Sequence, residues 1–87
     1  MNFQHYSLNH RHKGDVVEIS LQGNAANVRV MDDINFHRYK SRQRYQYLGG
    51  LATKSLTRIQ IPNDGNWHVA VDLEGYRGNV RSSVRIL

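Results

Sequence analysis

The residues of this chain best equipped for chemistry are its histidines, one strand-borne aspartate, and runs of arginine mixed with tyrosine. His5, His10, His12, His37 and His68 supply imidazole, which ligates metals and moves protons near neutral pH. His10 and His12 lie two apart, so an extended backbone points both the same way. Two imidazoles do not complete a metal site, and no spaced ligand motif adds His5, His37 or His68 to them. They are read as solvated loop residues, and neither a metal nor a cofactor is expected. Asp72 projects opposite the row Trp67, Val69, Val71, where it can meet an outward arginine across a sheet. Such pairs are ordinarily surface contacts of about 0–1 kcal/mol. A general base would need a partner group that the sequence does not set beside Asp72. No nucleophile elbow or paired-carboxylate motif occurs, and Gly49–Gly50 and the Gly75–Gly78 turn are too short to cradle phosphate. The expectation is a domain without catalytic activity.

The basic and aromatic residues suggest binding instead. Arg38, Lys40, Arg42 and Arg44 cluster with Tyr39, Tyr45 and Tyr47, and Arg77, Arg81 and Arg85 recur at every fourth residue near the C-terminus. Arg81 and Arg85 then share the solvent face of the last strand. Tyrosine with arginine is a favoured combination at protein interfaces, and it also holds single-stranded nucleic acid by phosphate pairing and base stacking. A purely structural account has the tyrosines in the core and the arginines solvating the sheet edges. The expected function is a binding module using Arg38–Tyr47, with Arg81 and Arg85 as further contacts. A protein partner or a second copy of the chain leads. Single-stranded nucleic acid is the alternative, and sugar or small-ligand binding through exposed Tyr and Trp the third class.

What positions these residues is a set of short strands. Trp67, Val69, Val71 and Leu73 fall on every second residue, as do Val80, Val84 and Ile86 after a glycine-rich turn. Period two places one row against a core and the other in water. Phe3–Leu8 reads as a short strand and Asn9–Gly14 as a polar loop. In Asp15–Gln22, Val17, Ile19 and Leu21 face inward and Glu18 outward; Gly23–Asn24 is a turn. Asn27–Asp32 sets Val28 and Val30 inward and Arg29 outward. Asp32 or Asp33 caps a single helical turn with Phe36 and Tyr39 on one side. Arg44–Leu48 resumes alternation until Gly49–Gly50 breaks it. Leu56–Ile61 is a strand stopped by Pro62, and Pro62–Asn66 turns the chain into the Trp67 strand. Six or seven short strands with at most one helical turn predict an all-β domain spanning residues 1–87, a small antiparallel sandwich or partly open barrel.

Composition sets bounds. A chain of 87 residues buries roughly 60–70% of the surface its unfolded form exposes, so the core is thin and its one tryptophan matters. Cysteine is absent, which removes disulfides and thiolate metal sites. No apolar run approaches the ~18 residues of a membrane span, and the N-terminus lacks a signal-peptide apolar region, so a cytoplasmic setting without membrane contact is expected. The formal net charge of +5 favours anionic partners.

The segments GDVVEISL, GNAANVRVMDDINFHRYK, YLGGLATKS and NWHVAVDLEGYRGNVRSSVRIL together resemble a bacterial domain of unknown function often found N-terminal to TIR domains. The resemblance covers about Phe3 to Leu87. Its most specific parts are Gly23–Asn27, Asn35–Phe36 with Tyr39–Lys40, Gly49–Gly50, and Asp72–Leu73 followed by Gly75–Tyr76. It implies a compact all-β domain that senses or binds something for an attached partner. These residues hold no TIR segment, so a stand-alone domain is expected, and TIR signalling or NAD cleavage carries over to no residue. The resemblance also draws attention to Asn24, Asn27 and Asn35, which are read as turn residues bonding nearby backbone. With Trp67, Gly23, Gly49, Gly50, Gly65, Gly75 and Gly78 they form the expected structural set.

Overall fold

Alternating apolar residues in seven segments build two antiparallel sheets that share one core. The computed structural model describes residues 3–74 and 78–87, so the expectations for Gly75, Tyr76 and Arg77 lie outside the described residues. The elements are β1 (Gln4–Arg11), β2 (Val16–Gly23), β3 (Ala26–Asp32), α1 (Asp33–Lys40), β4 (Leu48–Ala52), β5 (Leu56–Gln60), β6 (Gly65–Asp72) and β7 (Val80–Ile86). The first sheet runs β1-β6-β3-β4 and the second β5-β2-β7. The architecture is therefore a sandwich and not a closed barrel. Gln4 Nε2 donates to Val80 O (3.0 Å) and the Tyr6 hydroxyl to Ser82 O (2.7 Å), so side chains, not a backbone ladder, tie β1 to β7.

The core follows the period-two rows. Val17, Ile19 and Leu21 of β2 meet Val28 and Val30 of β3 and Trp67, Val69 and Val71 of β6, with Leu8 and Ile61 closing the ends. Trp67 is buried, and its indole Nε1 donates to Asn63 O at 2.9 Å, which satisfies the ring's one polar group.

Three local expectations change. The first strand continues through Arg11, where a polar loop is predicted, past a register slip between Ser7 and Asn9; Leu8 at the slip is buried in the core, on the same side as Tyr6 two residues before it. Gly49–Gly50 lies inside β4 rather than breaking a strand, while Arg44–Tyr47 is irregular. Gly49 has φ +108°, and a Cβ there would stand 2.3 Å from Val28 O, so only glycine lets β4 pair this closely with β3. The helix has eight residues, more than the single turn expected. Asp32 caps it, its Oδ1 accepting from the backbone N and the Nδ2 of Asn35, both at 2.9 Å.

That helix gives the sandwich a third layer. Phe36 and Tyr39 pack on Met31 of β3 and Ala70 of β6, with Phe3 and Tyr45 beside them, on the face of the first sheet turned away from the main core. The row opposite Trp67, Val69 and Val71 is therefore covered by α1, not wet. No helix among the described residues is long and apolar enough to cross a membrane.

Truncating a buried Trp typically costs about 3–5 kcal/mol. A domain of this length is worth about 4–13 kcal/mol at ~0.05–0.15 kcal/mol per residue. Trp67→Ala is expected to leave the domain largely unfolded at 37 °C, while Trp67→Phe keeps a cooperative transition. Circular-dichroism melts check this, and a near wild-type midpoint for Trp67→Ala would contradict it.

Candidate binding site

Asp72 ends β6 on the helix-covered face, directly opposite Asn27 in the β3 register. Asn27 Nδ2 donates to its Oδ1 (3.0 Å), as does the Glu74 backbone N–H (3.1 Å). The Tyr39 hydroxyl donates to Oδ2 (2.8 Å), and Arg29 Nη1 forms an ion pair with the same oxygen. The side chains of Asp72 and Arg29 are 0% and 12% exposed. The expectation of a surface ion pair is therefore corrected: the arginine across the sheet is Arg29, and α1 removes the pair from water. Arg29 points away from the core, as predicted, but under Tyr39 and Tyr47, whose ring centres lie 5.7 and 5.3 Å from its guanidinium carbon.

Tyr39, expected on a binding surface, is fully buried. Burial, then the bond to Asp72 and its charge, push the phenol well above its ordinary range, so Tyr39 stays a proton donor. Asn24, Asn27 and Asn35 all have structural partners, but only Asn24 lies in a turn. Asn24 Oδ1 accepts from Asn79 N (3.1 Å), whereas Asn27 sits in β3 and Asn35 in α1.

The rest of the basic cluster remains accessible. Arg38, Lys40, Arg42 and Arg44 are exposed, and none has a salt-bridge partner among the described residues. The helix stops by a defined motif. Gln43 N donates to Arg38 O (2.9 Å) and Arg42 N to Tyr39 O (3.3 Å), the bond pattern that closes a helix through a left-handed residue. That residue is usually glycine, but here it is Arg42, at φ +58°. Arg42 stands at a cleft of about 990 Å³ that Phe3, Tyr45, Leu73 and Glu74 also line, with Asp72 among the lining residues. Tyr47 is exposed beyond Tyr45, the two rings 5.6 Å apart. Burial raises the Tyr45 phenol as well, so it too is a neutral hydrogen-bonding group at the cleft.

Arg81 and Arg85 do not join this surface. They project from β7 on the outer face of the second sheet, across the sandwich from α1. Glu18, expected in water on that face, is covered by Arg58 and Arg85, which bond its two oxygens. Trp67 belongs to the core and offers no surface to a sugar.

Sequence reasoning did not foresee a second polar cluster under the other end of α1. Asp33 Oδ1 accepts from His68 Nε2, and His68 Nδ1 lies 2.9 Å from His5 Nε2. A carboxylate only accepts, so His68 carries a proton on Nε2, and whenever its Nδ1 is bare that nitrogen accepts from His5 Nε2. Phe36 stacks over both imidazoles at 4.3 and 4.4 Å, with Lys40 Nζ 4.8 Å from the Phe36 ring centre. His10 and His12 meet edge-on, ring centres 5.1 Å apart. Among the described residues no three His, Asp or Glu side chains gather to hold a metal ion.

Two consequences are measurable. Asp72→Asn leaves Arg29 buried without its counter-charge, a change that typically costs about 3–5 kcal/mol. Tyr39→Phe removes one bond to a charged acceptor, about 1.5–3 kcal/mol. Urea midpoints are expected to fall in that order, and the larger drop in Tyr39→Phe would contradict it. Burial first, then His68 and Lys40, lower the pKa of His5 in the folded chain. The unfolded chain therefore takes up the proton first, so this contribution to stability is full above about pH 6.5 and declines as pH falls through the lower folded value. Melting temperature is expected to drop between pH 7 and 5, with a shallower drop in His5→Gln; equal slopes would contradict the assignment.

No curated protein and no solved structure matches the chain. The family model described as "Domain of unknown function (DUF1883)" matches residues 1–87, and the chain belongs to that family.

Proposed function

We propose that the domain is a non-catalytic binding module that takes an acidic segment of a partner protein along Arg38–Tyr47 and into the adjoining cleft. The observation that carries this reading is Arg42. A non-glycine residue in the left-handed region costs about 1–2 kcal/mol, yet an arginine stands there, with its side chain at the cleft. Strain kept where a simpler residue would relieve it is a mark of a functional position. Four cations without a salt-bridge partner among the described residues supply long-range attraction, while Tyr45 and Tyr47 supply apolar contact with polar tips. Two copies of this surface would repel each other, which favours a different, acidic protein over self-association. A bacterial, cytoplasmic setting and work alongside a TIR protein belong to the same reading, on the resemblance of Gly23–Asn27, Asn35–Phe36 with Tyr39–Lys40, Gly49–Gly50, and Asp72–Leu73 with Gly75–Tyr76 to TIR-linked domains.

Arg42→Gly separates strain from function. Relief of about 1 kcal/mol raises the melting temperature of a domain this size by roughly 4–8 °C. The affinity for a fluorescein-labelled oligoglutamate peptide containing tyrosine is expected to fall about ten-fold, or about 1.4 kcal/mol. Unchanged affinity would sink the proposal. Oligothymidylate titrated at two salt concentrations tests the nucleic-acid alternative, which is supported if it binds more tightly than the peptide and steeply loses affinity with salt.

A further inference from the structure

The outer face of the second sheet carries a row of three charged residues fixed by the backbone ladder. Glu18, in the central strand, stands directly opposite Arg58 on one side and Arg85 on the other. Arg58 Nε donates to Glu18 Oε2 (2.8 Å) and Arg85 Nε to Oε1 (2.7 Å), so each oxygen holds one guanidinium. The Glu18 side chain is 4% exposed, beneath arginines that are 60% and 70% exposed.

An exposed ion pair normally joins two mobile chains and fixes neither. Here the carboxylate is pinned between two strands, so it sets the direction of both guanidinium groups. A guanidinium has five N–H donors and each spends its Nε–H on Glu18, which leaves the Nη groups of both arginines to meet another acceptor. The hydrogen bonds of the described residues include no other acceptor for Arg58 or Arg85. Two positive charges and one negative leave the row net positive, and Arg81, on the same face opposite Gln22, adds to it. The arginine pair keeps Glu18 ionised by holding its pKa below the ordinary glutamate value. Two copies placed face to face here would bring like charges together, so the face does not suit self-association.

We infer that the Arg58–Glu18–Arg85 row is an oxyanion site for a phosphoryl group, with Glu18 as a positioning residue. Paired N–H groups along the outer edges of two guanidinium forks match phosphoryl oxygens. With Arg81 counted, three arginines face one glutamate, and that excess of positive charge suits a dianion better than a single carboxylate. The site is separate from Arg42 and the cleft, whose lining includes none of Glu18, Arg58 and Arg85.

The test is a titration of the ¹⁵N-labelled domain with sodium pyrophosphate at constant ionic strength, following the arginine Nε–H resonances. Those of Arg58 and Arg85 are expected to shift and saturate together. Arg58→Lys, which keeps the charge and loses the fork, is expected to weaken binding about ten-fold. Glu18→Gln gives the discriminating sign. If charge alone attracts the ligand, removing the carboxylate tightens binding; if Glu18 aims the forks, binding weakens about ten-fold even though the face becomes more positive. Thermal melts accompany both variants, because a purely structural row would change stability and leave pyrophosphate affinity alone. Arg42→Gly is expected to bind pyrophosphate as the wild type does. Competition by oligothymidylate assigns the group to a nucleic-acid phosphodiester, and its failure to compete assigns it to a free phosphate ester. Unmoved Arg58 and Arg85 resonances, tighter binding by Glu18→Gln, or loss of pyrophosphate binding in Arg42→Gly overturns the inference.

Discussion

The carboxylate of Asp72 holds the helix in register on the first sheet. Its donors come from β3 (Asn27 and Arg29), from α1 (Tyr39) and from the chain just after β6 (Glu74). A buried ion pair adds little net stability compared with an apolar replacement, because desolvation offsets most of the attraction. Its effect is selectivity. Only one placement of α1 brings the Tyr39 hydroxyl to the oxygen that Arg29 also needs, whereas ring packing on Ala70 and Met31 alone would tolerate sliding. The accessible surface at Arg38–Tyr47 inherits its position from this anchor, since the residues that follow Tyr39 leave the helix from a fixed point.

The two sheets use opposite solutions for their outer faces. On the first, small Ala70 and flexible Met31 leave room for two aromatic rings, and polar residues flank them: half-buried His68 with exposed His5 and Asp33 at one end, and Asp72 with Arg29 and Asn27 at the other. The second keeps a carboxylate in the middle strand and shields it with arginine side chains from both neighbours. A thin sandwich can bury only part of its surface, so a helix on one side and long aliphatic arginine stems on the other extend the apolar cover at little expense in chain length.

Much of this was legible in the sequence because alternation is a local signal. Val17, Ile19 and Leu21, Val28 and Val30, and Trp67, Val69 and Val71 declare their face by spacing alone, and each lies in the core. Alternation does not say what covers the opposite row. His68, Ala70 and Asp72 read as a wet face, yet a helix from elsewhere in the chain lies over them. Ala70 is the clue in hindsight, a small residue between larger ones where a ring has to fit. Gly49 and Gly50 mislead for a related reason. Glycine usually punctuates a strand, but here it admits a neighbouring backbone whose position only the tertiary pairing fixes. Tyr6 and Leu8 share parity and both reach the core, but the register slip that follows Ser7 leaves no mark in composition. The basic residues were grouped by type and proximity to tyrosine, and the fold then divided them between faces on either side of the core.

That division has a physical consequence for recognition. Around Arg42 the cations are exposed and have no salt-bridge partner among the described residues, so their attraction is long-range, weakly directional and attenuated by salt over about 8–10 Å at physiological ionic strength. Arg58 and Arg85 are partly neutralised and held by Glu18, so their field is weak at a distance while their donors are already ordered. The first arrangement governs how quickly an anionic partner arrives; the second, how closely an oxyanion must match once it is there. A chain of net charge +5 could have spread its arginines evenly for solubility. Spending a carboxylate to fix two of them, and a strained backbone to place another, concentrates directional chemistry at two points on opposite sides of the same thin core.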